Sequence, residues 1–329
     1  MLLLTKHDIE SIFNMQNAID SDKTAFKLFS QNKSVVPLRT NIDIPKFSGQ
    51  SLFMPAYVED IDSIGIKIVS VFPKNVEKGM PSVPAKMILM DGKTGDVCCI
   101  MDGTYLTQLR TGAGSGAATD ILAVVDAKSG ALIGTGGQAE CQLEAMLTVR
   151  KLESVKVFDM NLERAVEFCT RMSQKFVKFG TEISVAKTIG EAIENADIIT
   201  TVTTSKIPVI DGKYVKKGAH INAVGSYTPV MQEIDEYTIK NADGVFVDSK
   251  EAVLSESGDL IIPINKGIID KSRIDGEIGE VLLGTIKGRK NDKEITIYKT
   301  VGIAVMDVVT AYDIYNCALK MNIGTVIDL

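Results

Sequence analysis

The stretch Ala131-Leu132-Ile133-Gly134-Thr135-Gly136-Gly137-Gln138-Ala139 decides the fold of this chain. It consists of a short apolar strand and a glycine turn that opens a helix, and the next apolar strand ends at Asp159. Gly134 permits the tight turn, and Gly136 lets a pyrophosphate approach the backbone with no Cβ in the way. Ala139 allows helix and strand to pack closely, and the helix N-terminus then faces the phosphates. The stretch therefore predicts a dinucleotide-binding turn.

Asp159 indicates which dinucleotide is bound. It lies 25 positions after Gly134 (159 minus 134), close to the spacing expected for an acid that binds a ribose. A carboxylate at this position repels a 2′-phosphate, and the following Met160 and Asn161 offer no cation, although Arg164 is not far along the chain. NAD is therefore expected rather than NADP. The alternative is a glycine turn with no nucleotide, but the strand, the helix and the acid together favour the nucleotide.

The bulk composition limits the classes of function. A chain of 329 residues suggests two domains, and 45% apolar with 24% charged residues is typical of a soluble globular protein. The net charge of −6, without a dense Lys/Arg cluster, argues against a nucleic-acid surface. The N-terminus resembles no signal peptide and no apolar stretch is long enough to span a bilayer, so we expect a cytoplasmic protein without a membrane partner.

Metal and thiol chemistry are not expected. The five cysteines form no C-x-x-C pair, and we interpret them as reduced, mostly buried residues. The only histidines are His7 and His220, and neither lies near a cysteine pair, so no metal site is predicted. His220 precedes an apolar run, and we expect it to be structural.

The order of predicted strands and helices changes near residue 121. Residues 5–32 have the spacing of two short helices, residues 35–107 contain antiparallel strands, and a glycine-rich helix follows from about Thr107 to Asp120. From 121 onward strands and helices alternate, which is typical of a doubly wound parallel sheet. The fold class is therefore α/β, a Rossmann-type domain at 121–302 beside an α+β domain. The α+β domain comprises 1–120 plus 303–329, because the last helix, Val308–Met321, is expected to return to it.

Three cations in the first domain have unusual surroundings. Arg39 lies in an extended segment, Lys67 lies within an otherwise apolar strand, and Arg110 opens the glycine-rich helix. Each alone is compatible with a solvated surface charge, since Lys and Arg are usually exposed. The glycines after Arg110 weaken a helix by up to about 1 kcal/mol each, which indicates close approach to a neighbour or a ligand.

Motifs along nearly the whole chain resemble the ornithine cyclodeaminase/mu-crystallin family. They are Gly79-Met80-Pro81-Ser82, Leu89 to Gly95, Met101 to Ala113, Gly134 to Ala139, Ala223-Val224-Gly225-Ser226, and Lys299 to Asp307. The family includes ornithine cyclodeaminases, archaeal alanine dehydrogenases, reductases of ketimines and Δ1-pyrroline-2-carboxylate, and mu-crystallins. The resemblance implies that the α+β domain binds substrate and forms a homodimer.

The resemblance also implies roles for individual residues. Arg39 and Arg110 would clamp a substrate carboxylate, Lys67 would be the catalytic residue at the substrate nitrogen, and Ser82 would help to hold substrate. Val301 and Gly302 would meet the nicotinamide amide. The residues expected to bind the cofactor are Gly134, Thr135, Gly136, Gly137, Gln138, Ala139, Asp159, Val202, Thr203, Val224, Gly225, Val301 and Gly302.

The chain departs from ornithine cyclodeaminases at Tyr227. Those enzymes carry an aspartate in the loop after the Ala-Val-Gly strand, where it is thought to handle the amine. By register Tyr227 occupies that position here and is a candidate substrate-binding residue. A tyrosine cannot serve as a carboxylate base near neutral pH. Ornithine cyclisation is thereby disfavoured, whereas hydride transfer is not.

The residues leave three hypotheses open. The first is an enzyme that moves hydride between NAD(P) and the α-carbon of a small-molecule L-amino acid or its cyclic imine. The second is an ornithine cyclodeaminase that forms proline and ammonia with catalytic NAD+. The third is a non-catalytic, nucleotide-dependent binding protein. The first requires the basic trio Arg39, Lys67 and Arg110 to serve a coenzyme held by the Rossmann domain.

Overall fold

A computed structural model describes residues 1–328 and divides the chain into two compact units. The first unit comprises Met1–Arg110 and the segment from Ile303 onward. The second unit comprises Thr111–Gly302. The chain therefore leaves the first unit within a helix and returns to it directly after a glycine.

The first unit is built on an eight-stranded sheet in which one strand pairs off the main path. Its strands are β1 (Leu2–Leu4), β2 (Ser34–Val35), β3 (Thr40–Ile44), β4 (Gly49–Val58), β5 (Ser63–Val71), β6 (Ala85–Asp91), β7 (Val97–Asp102) and β16 (Thr325–Val326). The order is β16-β1-β7-β6-β5-β4-β2, and β3 pairs with β4. Strands β4 to β7 form an antiparallel meander. Buried residues alternate along β4 and β5, because one face of the meander packs against a helix.

The helices of the first unit are α1 (Lys6–Ile12), α2 (Met15–Ser30), the first part of α3 (Gly103–Leu122) and α11 (Ala304–Met321). Helix α11 packs on β4, β5 and β6 and on α2. Helix α3 begins earlier than the sequence predicts, because the Asp102 side chain accepts a hydrogen bond from the Tyr105 N–H at 2.8 Å and caps it. Arg110 therefore lies in the middle of α3, not at its start.

The second unit contains a parallel eight-stranded sheet. Its strands are β8 (Ser129–Ile133), β9 (Ser154–Phe158), β10 (Glu182–Val185), β11 (Ile198–Thr201), β12 (His220–Ala223), β13 (Gly244–Val247), β14 (Gly276–Glu277) and β15 (Thr296–Lys299). The order β10-β9-β8-β11-β12-β15-β13-β14 reverses direction between β8 and β11. This arrangement confirms the expected Rossmann-type α/β fold and places a ligand crevice at the reversal.

Helices flank the parallel sheet. They are α4 (Ala139–Val149), α5 (Leu162–Lys175), α6 (Ile189–Ile193), α7 (Glu236–Asn241), α8 (Lys250–Glu256), α9 (Gly258–Asn265) and α10 (Ile278–Leu282). Apolar side chains of α4 and α5 form one core cluster with those of β8 and β9, among them Leu132, Leu143, Phe168 and Met172. Truncating such a buried side chain to alanine costs about 2–5 kcal/mol. Throughout residues 1–328, no helix is long and apolar enough to cross a membrane.

Candidate functional site

The expected cofactor residues of the second unit follow the carboxyl ends of its parallel strands. The glycine turn follows β8, Asp159 follows β9, Val202 and Thr203 follow β11, Val224 and Gly225 follow β12, and Val301 and Gly302 follow β15. In a parallel sheet these ends meet at one edge, and open α/β sheets bind their ligands there. The fold thus collects at one edge residues that are up to 168 positions apart in sequence (302 minus 134).

The glycine turn adopts the conformation that its sequence predicts. Gly134 has a φ of +105°, which L side chains rarely adopt, and its N–H donates to the Phe158 carbonyl at 2.8 Å. A Cβ at Gly134 would lie 2.9 Å from the Val202 carbonyl oxygen. The turn therefore fits closely against the end of β11, and only glycine fits at this position without strain.

The N-terminus of α4 offers an open, polar site. No described atom outside the adjoining residues lies within 4 Å of a Cβ built at Gly136. Gln138 precedes α4 but gives it no side-chain cap, and the buried Gln138 Oε1 has no hydrogen-bond partner among residues 1–328. An uncapped helix N-terminus beside an open glycine backbone is suited to a pyrophosphate, so these residues fit a dinucleotide.

Asp159 connects the end of β9 to the glycine turn. Its Oδ2 accepts hydrogen bonds from the Thr135 N–H at 3.0 Å and the Thr135 hydroxyl at 2.6 Å, and its Oδ1 accepts from the Asn161 N–H at 2.9 Å. Partial burial raises the pKa of Asp159, but the Thr135 and Asn161 hydrogen bonds outweigh burial and lower it overall. A carboxylate has about four lone-pair sites, so an ionised Asp159 retains capacity for a ribose hydroxyl.

A buried glutamate joins the loops after β11 and β12. Glu233 Oε1 accepts from the Thr203 N–H at 2.6 Å and the Thr203 hydroxyl at 2.8 Å. Glu233 Oε2 accepts from the Gly225 N–H at 2.6 Å and the Thr201 hydroxyl at 3.0 Å. Burial raises the pKa of Glu233, and neighbouring Asp259 adds to this effect. Because each oxygen receives a backbone N–H, the side chain holds both loops as an acceptor.

Two further buried acids shape the same edge. Asp248 Oδ2 accepts from the Thr300 hydroxyl at 2.6 Å, the Val301 N–H at 2.9 Å and the Gly302 N–H at 2.7 Å. Asp259 pairs with the buried Lys299 ammonium, with Oδ2 and Nζ 2.9 Å apart. The turn that we expect to meet the nicotinamide amide is therefore fixed by a single carboxylate oxygen.

The first unit contains a buried cluster of charges around Lys67. Lys67 Nζ lies 2.8 and 2.9 Å from the two carboxylate oxygens of Asp307, and Arg110 Nε lies 2.9 Å from Asp307 Oδ1. Lys67 is 1% exposed, Arg110 5% and Asp307 0%. The alternative of a solvated strand face for Lys67 and a surface charge for Arg110 is therefore wrong.

The environment of Lys67 favours its neutral form more than water does. Burial, followed by the charge of Arg110, lowers the pKa of Lys67 to about 7, although the charge and hydrogen bond of Asp307 oppose the shift. Arg39, half-buried between β2 and β3, adds a smaller lowering effect. The three predicted cations are therefore close enough to influence one another, and Lys67 can gain or lose a proton near neutral pH.

Ser82 and Tyr227 lie in loops of different units. Ser82 is half-buried in the segment before β6, and its carbonyl accepts a hydrogen bond from the Phe72 N–H at 2.8 Å. Tyr227 is half-buried in the loop after β12. Their roles toward a substrate remain predictions.

The sequence did not identify Asp307, Glu233, Asp248 or Asp259. A usable signal was present for Asp307, because it is the one acid in the apolar run Ala304-Val305-Met306-Asp307-Val308-Val309. Acids at buried helix positions are rarely found without a partner. Glu233 and Asp248 lie in irregular segments, and Asp259 lies in the first turn of the short helix α9, so no periodicity marks any of the three as buried.

His220 is buried between two polar partners, Thr296 Oγ1 at 2.9 Å and Asn222 Oδ1 at 3.1 Å. Burial, with a contribution from the charge of Arg289, lowers the pKa of His220 to about 3, so the ring is neutral near pH 7. The contacts support the expected structural role.

No group of three or more His, Cys, Asp or Glu side chains arranged to hold a metal occurs in the described part of the chain.

Comparison with known proteins gives matches over the whole length of the chain. The model of the ornithine cyclodeaminase/mu-crystallin family matches residues 1–322. Δ1-pyrroline-2-carboxylate reductase of Bacillus cereus is 38% identical over 328 residues, with 100% of both chains covered.

Two solved structures are similar to the present fold. Δ1-pyrroline-2-carboxylate reductase of Thermococcus litoralis, in complex with NADH and L-proline, is 42% identical and has a TM-score of 0.95. The match covers 99% of this chain and 100% of the other. An archaeal alanine dehydrogenase dimer with bound NAD is 34% identical with a TM-score of 0.92, and the match covers 100% of this chain and 99% of the other.

Proposed function

This chain belongs to the ornithine cyclodeaminase/mu-crystallin family, and we propose that it is an NAD-dependent reductase of small cyclic imino acids. The match confirms the resemblance that the sequence motifs indicate. The expectation of an NAD-dependent enzyme agrees with the relatives, which are reductases and dehydrogenases solved with NADH or NAD. The preferred substrate in this proposal is Δ1-pyrroline-2-carboxylate, the product L-proline.

The observation that carries the proposal is the buried lysine beside an arginine in the first unit. Reduction of a C=N bond needs a proton donor for the nitrogen and a cation for the substrate carboxylate. Lys67, with a pKa of about 7, suits the first task, and the Arg110 guanidinium suits the second. The resemblance assigns the same roles to these residues.

The chemistry divides between the two units. NADH, when bound at the glycine turn, supplies a hydride to the imine carbon. Lys67 Nζ donates a proton to the imine nitrogen, so that the C=N double bond becomes a C–N single bond with one hydrogen added to each atom. Arg110 and Arg39 bind the carboxylate, and the family resemblance makes Ser82 and Tyr227 further candidates for substrate binding. Asp159 binds the adenosine ribose and excludes a 2′-phosphate.

The domain organisation, assembly and location are part of the same proposal. The first unit supplies the substrate groups and, by the family resemblance, the dimer contact. A homodimer is supported by the archaeal alanine dehydrogenase, which is a dimer. The second unit supplies the cofactor groups. A cytoplasmic location is supported by the five cysteines, none of which is in a disulfide among residues 1–328.

A substrate panel tests the proposal. The purified protein is given NADH with Δ1-pyrroline-2-carboxylate, with its six-membered homologue and with pyruvate plus ammonia, and separately NAD+ with L-proline, L-alanine and L-ornithine. We expect the highest kcat/KM for a cyclic imine with NADH. A preference for pyruvate plus ammonia would make it an alanine dehydrogenase, and no turnover of any member would favour a binding protein.

A further inference from the structure

One carboxylate in the first unit neutralises two buried cations. Asp307 lies in the first turn of α11, where the helix dipole favours a negative charge. Both of its oxygens accept hydrogen bonds from Lys67 Nζ, and Oδ1 also accepts one from Arg110 Nε. The side chains come from β5, α3 and α11, three separate elements of the unit. Each additional buried charge is costly, so an arrangement of two cations on one anion needs a reason.

The other acid near this cluster does not complete the charge balance. Asp22 on α2 is 0% exposed, its Oδ1 receives the Thr310 hydroxyl at 3.4 Å, and its Oδ2 has no hydrogen-bond partner within residues 1–328. Burial raises the pKa of Asp22 well above its ordinary value, even though Arg110 opposes the shift. Burial therefore disfavours the charged form of Asp22, and Arg39 only adds positive potential at Lys67. The contacting trio Lys67, Arg110 and Asp307 has one positive charge in excess when Lys67 is protonated.

We propose that Asp307 is a positioning residue that aligns Lys67 and Arg110 for one incoming carboxylate, whose charge completes the cluster. This inference rests on the proposed function. The salt bridge to Asp307 uses Nε of Arg110, and Nη1 makes only a weak contact with the Met306 sulfur at 3.9 Å, so the Nη groups of the guanidinium fork can turn to the substrate carboxylate. Lys67, Arg110, Asp307 and a bound carboxylate then sum to zero, with the half-buried Arg39 outside this count, so the site selects substrates that carry a carboxylate next to the reacting carbon.

The arrangement also links substrate binding to the proton on Lys67. The charge and hydrogen bond of Asp307 raise the pKa of Lys67 against burial and Arg110, which lower it. Removing the Asp307 charge therefore shifts the pKa of Lys67 further below 7. Adding a second negative charge, that of the substrate, shifts it upward. Near neutral pH the empty site should thus take up a proton when a carboxylate binds.

Asp307→Asn is the direct test, with Asp313→Asn as its matched control. Asp313 lies on the same helix and accepts the Ser21 hydroxyl at 2.5 Å, away from the cations. For Asp307→Asn we expect kcat for imine reduction to fall on the order of 10²-fold, because Lys67 is misaligned and less often protonated. KM should not rise, because the Arg110 guanidinium keeps its charge. The pH at which the rate declines should move to lower values. Asp313→Asn should retain both the wild-type kcat and the wild-type pH profile.

A structural role would give a different result. If Asp307 only stabilised the fold, Asp307→Asn would lower the melting temperature, and the folded fraction would keep the wild-type pH profile; this outcome would overturn the inference. Asp307→Glu keeps the negative charge. Its rate should therefore begin to decline at the same pH as that of the wild type, even if its kcat is lower. A decline of Asp307→Glu at the same lowered pH as Asp307→Asn would also overturn the inference.

A measurement on the wild-type protein avoids the risk that Asp307→Asn fails to fold. Calorimetric titration with NADH and the unreactive pyrrole-2-carboxylate, in buffers of different ionisation enthalpy, counts the protons taken up at pH 7. We expect net proton uptake, and binding without uptake would contradict the charge balance. If the wild-type enzyme turns over no cyclic imine and does not bind this probe, the proposed function fails instead.

Discussion

Lys67 presents its ammonium to both carboxylate oxygens of Asp307, at 2.8 and 2.9 Å, inside a first unit from which water is nearly excluded at this point. A lysine in this position is held in one orientation and has a pKa of about 7. These two properties lead to the first two predictions.

Replacing Lys67 should abolish chemistry without abolishing cofactor binding. For Lys67→Met we expect kcat for imine reduction to fall by about 10²–10⁴-fold, the usual contribution of a general acid. Lys67→Arg keeps the positive charge but cannot release a proton, so it should be almost as slow. The Kd for NADH, measured by fluorescence, should stay within error in both variants. A Lys67→Met enzyme with wild-type turnover would show that the proton comes from elsewhere.

The kcat/KM values for imine reduction and for L-proline oxidation should depend on pH with opposite signs. Because burial lowers the pKa of Lys67 to about 7, the side chain is protonated below that pH and neutral above it. The kcat/KM for imine reduction should therefore decline by about tenfold per pH unit above 7. Oxidation of L-proline needs the neutral amine, so its kcat/KM should rise toward a plateau above the same pH. Profiles with midpoints near pH 10 would show that burial does not perturb Lys67.

Asp159 should determine the choice between NADH and NADPH. In Asp159→Ser the repulsion of a 2′-phosphate is lost, and the ratio of kcat/KM values for NADPH and NADH should rise by at least about tenfold. Asp159→Asn separates the charge from the loop contacts, because its amide oxygen can still accept from the Thr135 N–H. An unchanged ratio in both variants would mean that Asp159 only supports the glycine turn.

The two glycines of the turn should respond differently to alanine. Gly134→Ala places a Cβ 2.9 Å from a carbonyl oxygen at a φ of +105°, so we expect destabilisation of about 1–3 kcal/mol in thermal unfolding. At Gly136 the added methyl meets no described atom within 4 Å. Gly136→Ala should therefore unfold like the wild type and yet bind NADH more weakly. Normal NADH affinity in Gly136→Ala would place the pyrophosphate elsewhere.

Replacing the Glu233 carboxylate by an amide should lower both the stability of the protein and its affinity for NADH. Each of its oxygens accepts a backbone N–H, from Thr203 or Gly225, and a glutamine must point its NH2 group at one of them. We expect Glu233→Gln to cost about 1–3 kcal/mol in unfolding free energy and to raise the Kd for NADH. Glu236→Gln, at a partly exposed ion pair with Lys266, is the matched control and should change neither quantity. Equal affinities for NADH in the two variants would show that Glu233 does not support cofactor binding.

The sequence predicted well those elements whose pattern is local. The two helices expected within residues 5–32 and the antiparallel strands expected within residues 35–107 are present, because each has a clear apolar period between turn residues. The glycine turn was also predictable, since its conformation depends on a few adjacent residues. Strand Thr296–Lys299 was not predicted, although it pairs with both β12 and β13. It has only four residues, all of them buried, and its position depends on partners distant in sequence.

The candidate site was predicted only in part, and the missing residues share a physical cause. Lys67 and Arg110 could be identified because cations within apolar or glycine-rich segments are unusual. Asp307, 240 positions from Lys67, could not be assigned as its partner, because pairing across that distance depends on the tertiary fold. For the same reason Glu233 could not be placed against two separate loops from its sequence position.

The most direct test of the central claim is the stoichiometry of NADH against product with Δ1-pyrroline-2-carboxylate as substrate. Proline is quantified by chromatography while NADH is followed by its absorbance in the same reaction. A reductase should consume one NADH for each L-proline formed and should form no proline from L-ornithine and NAD+. Proline formed from L-ornithine with ammonia release and no net change in NADH would contradict the proposal and identify a cyclodeaminase.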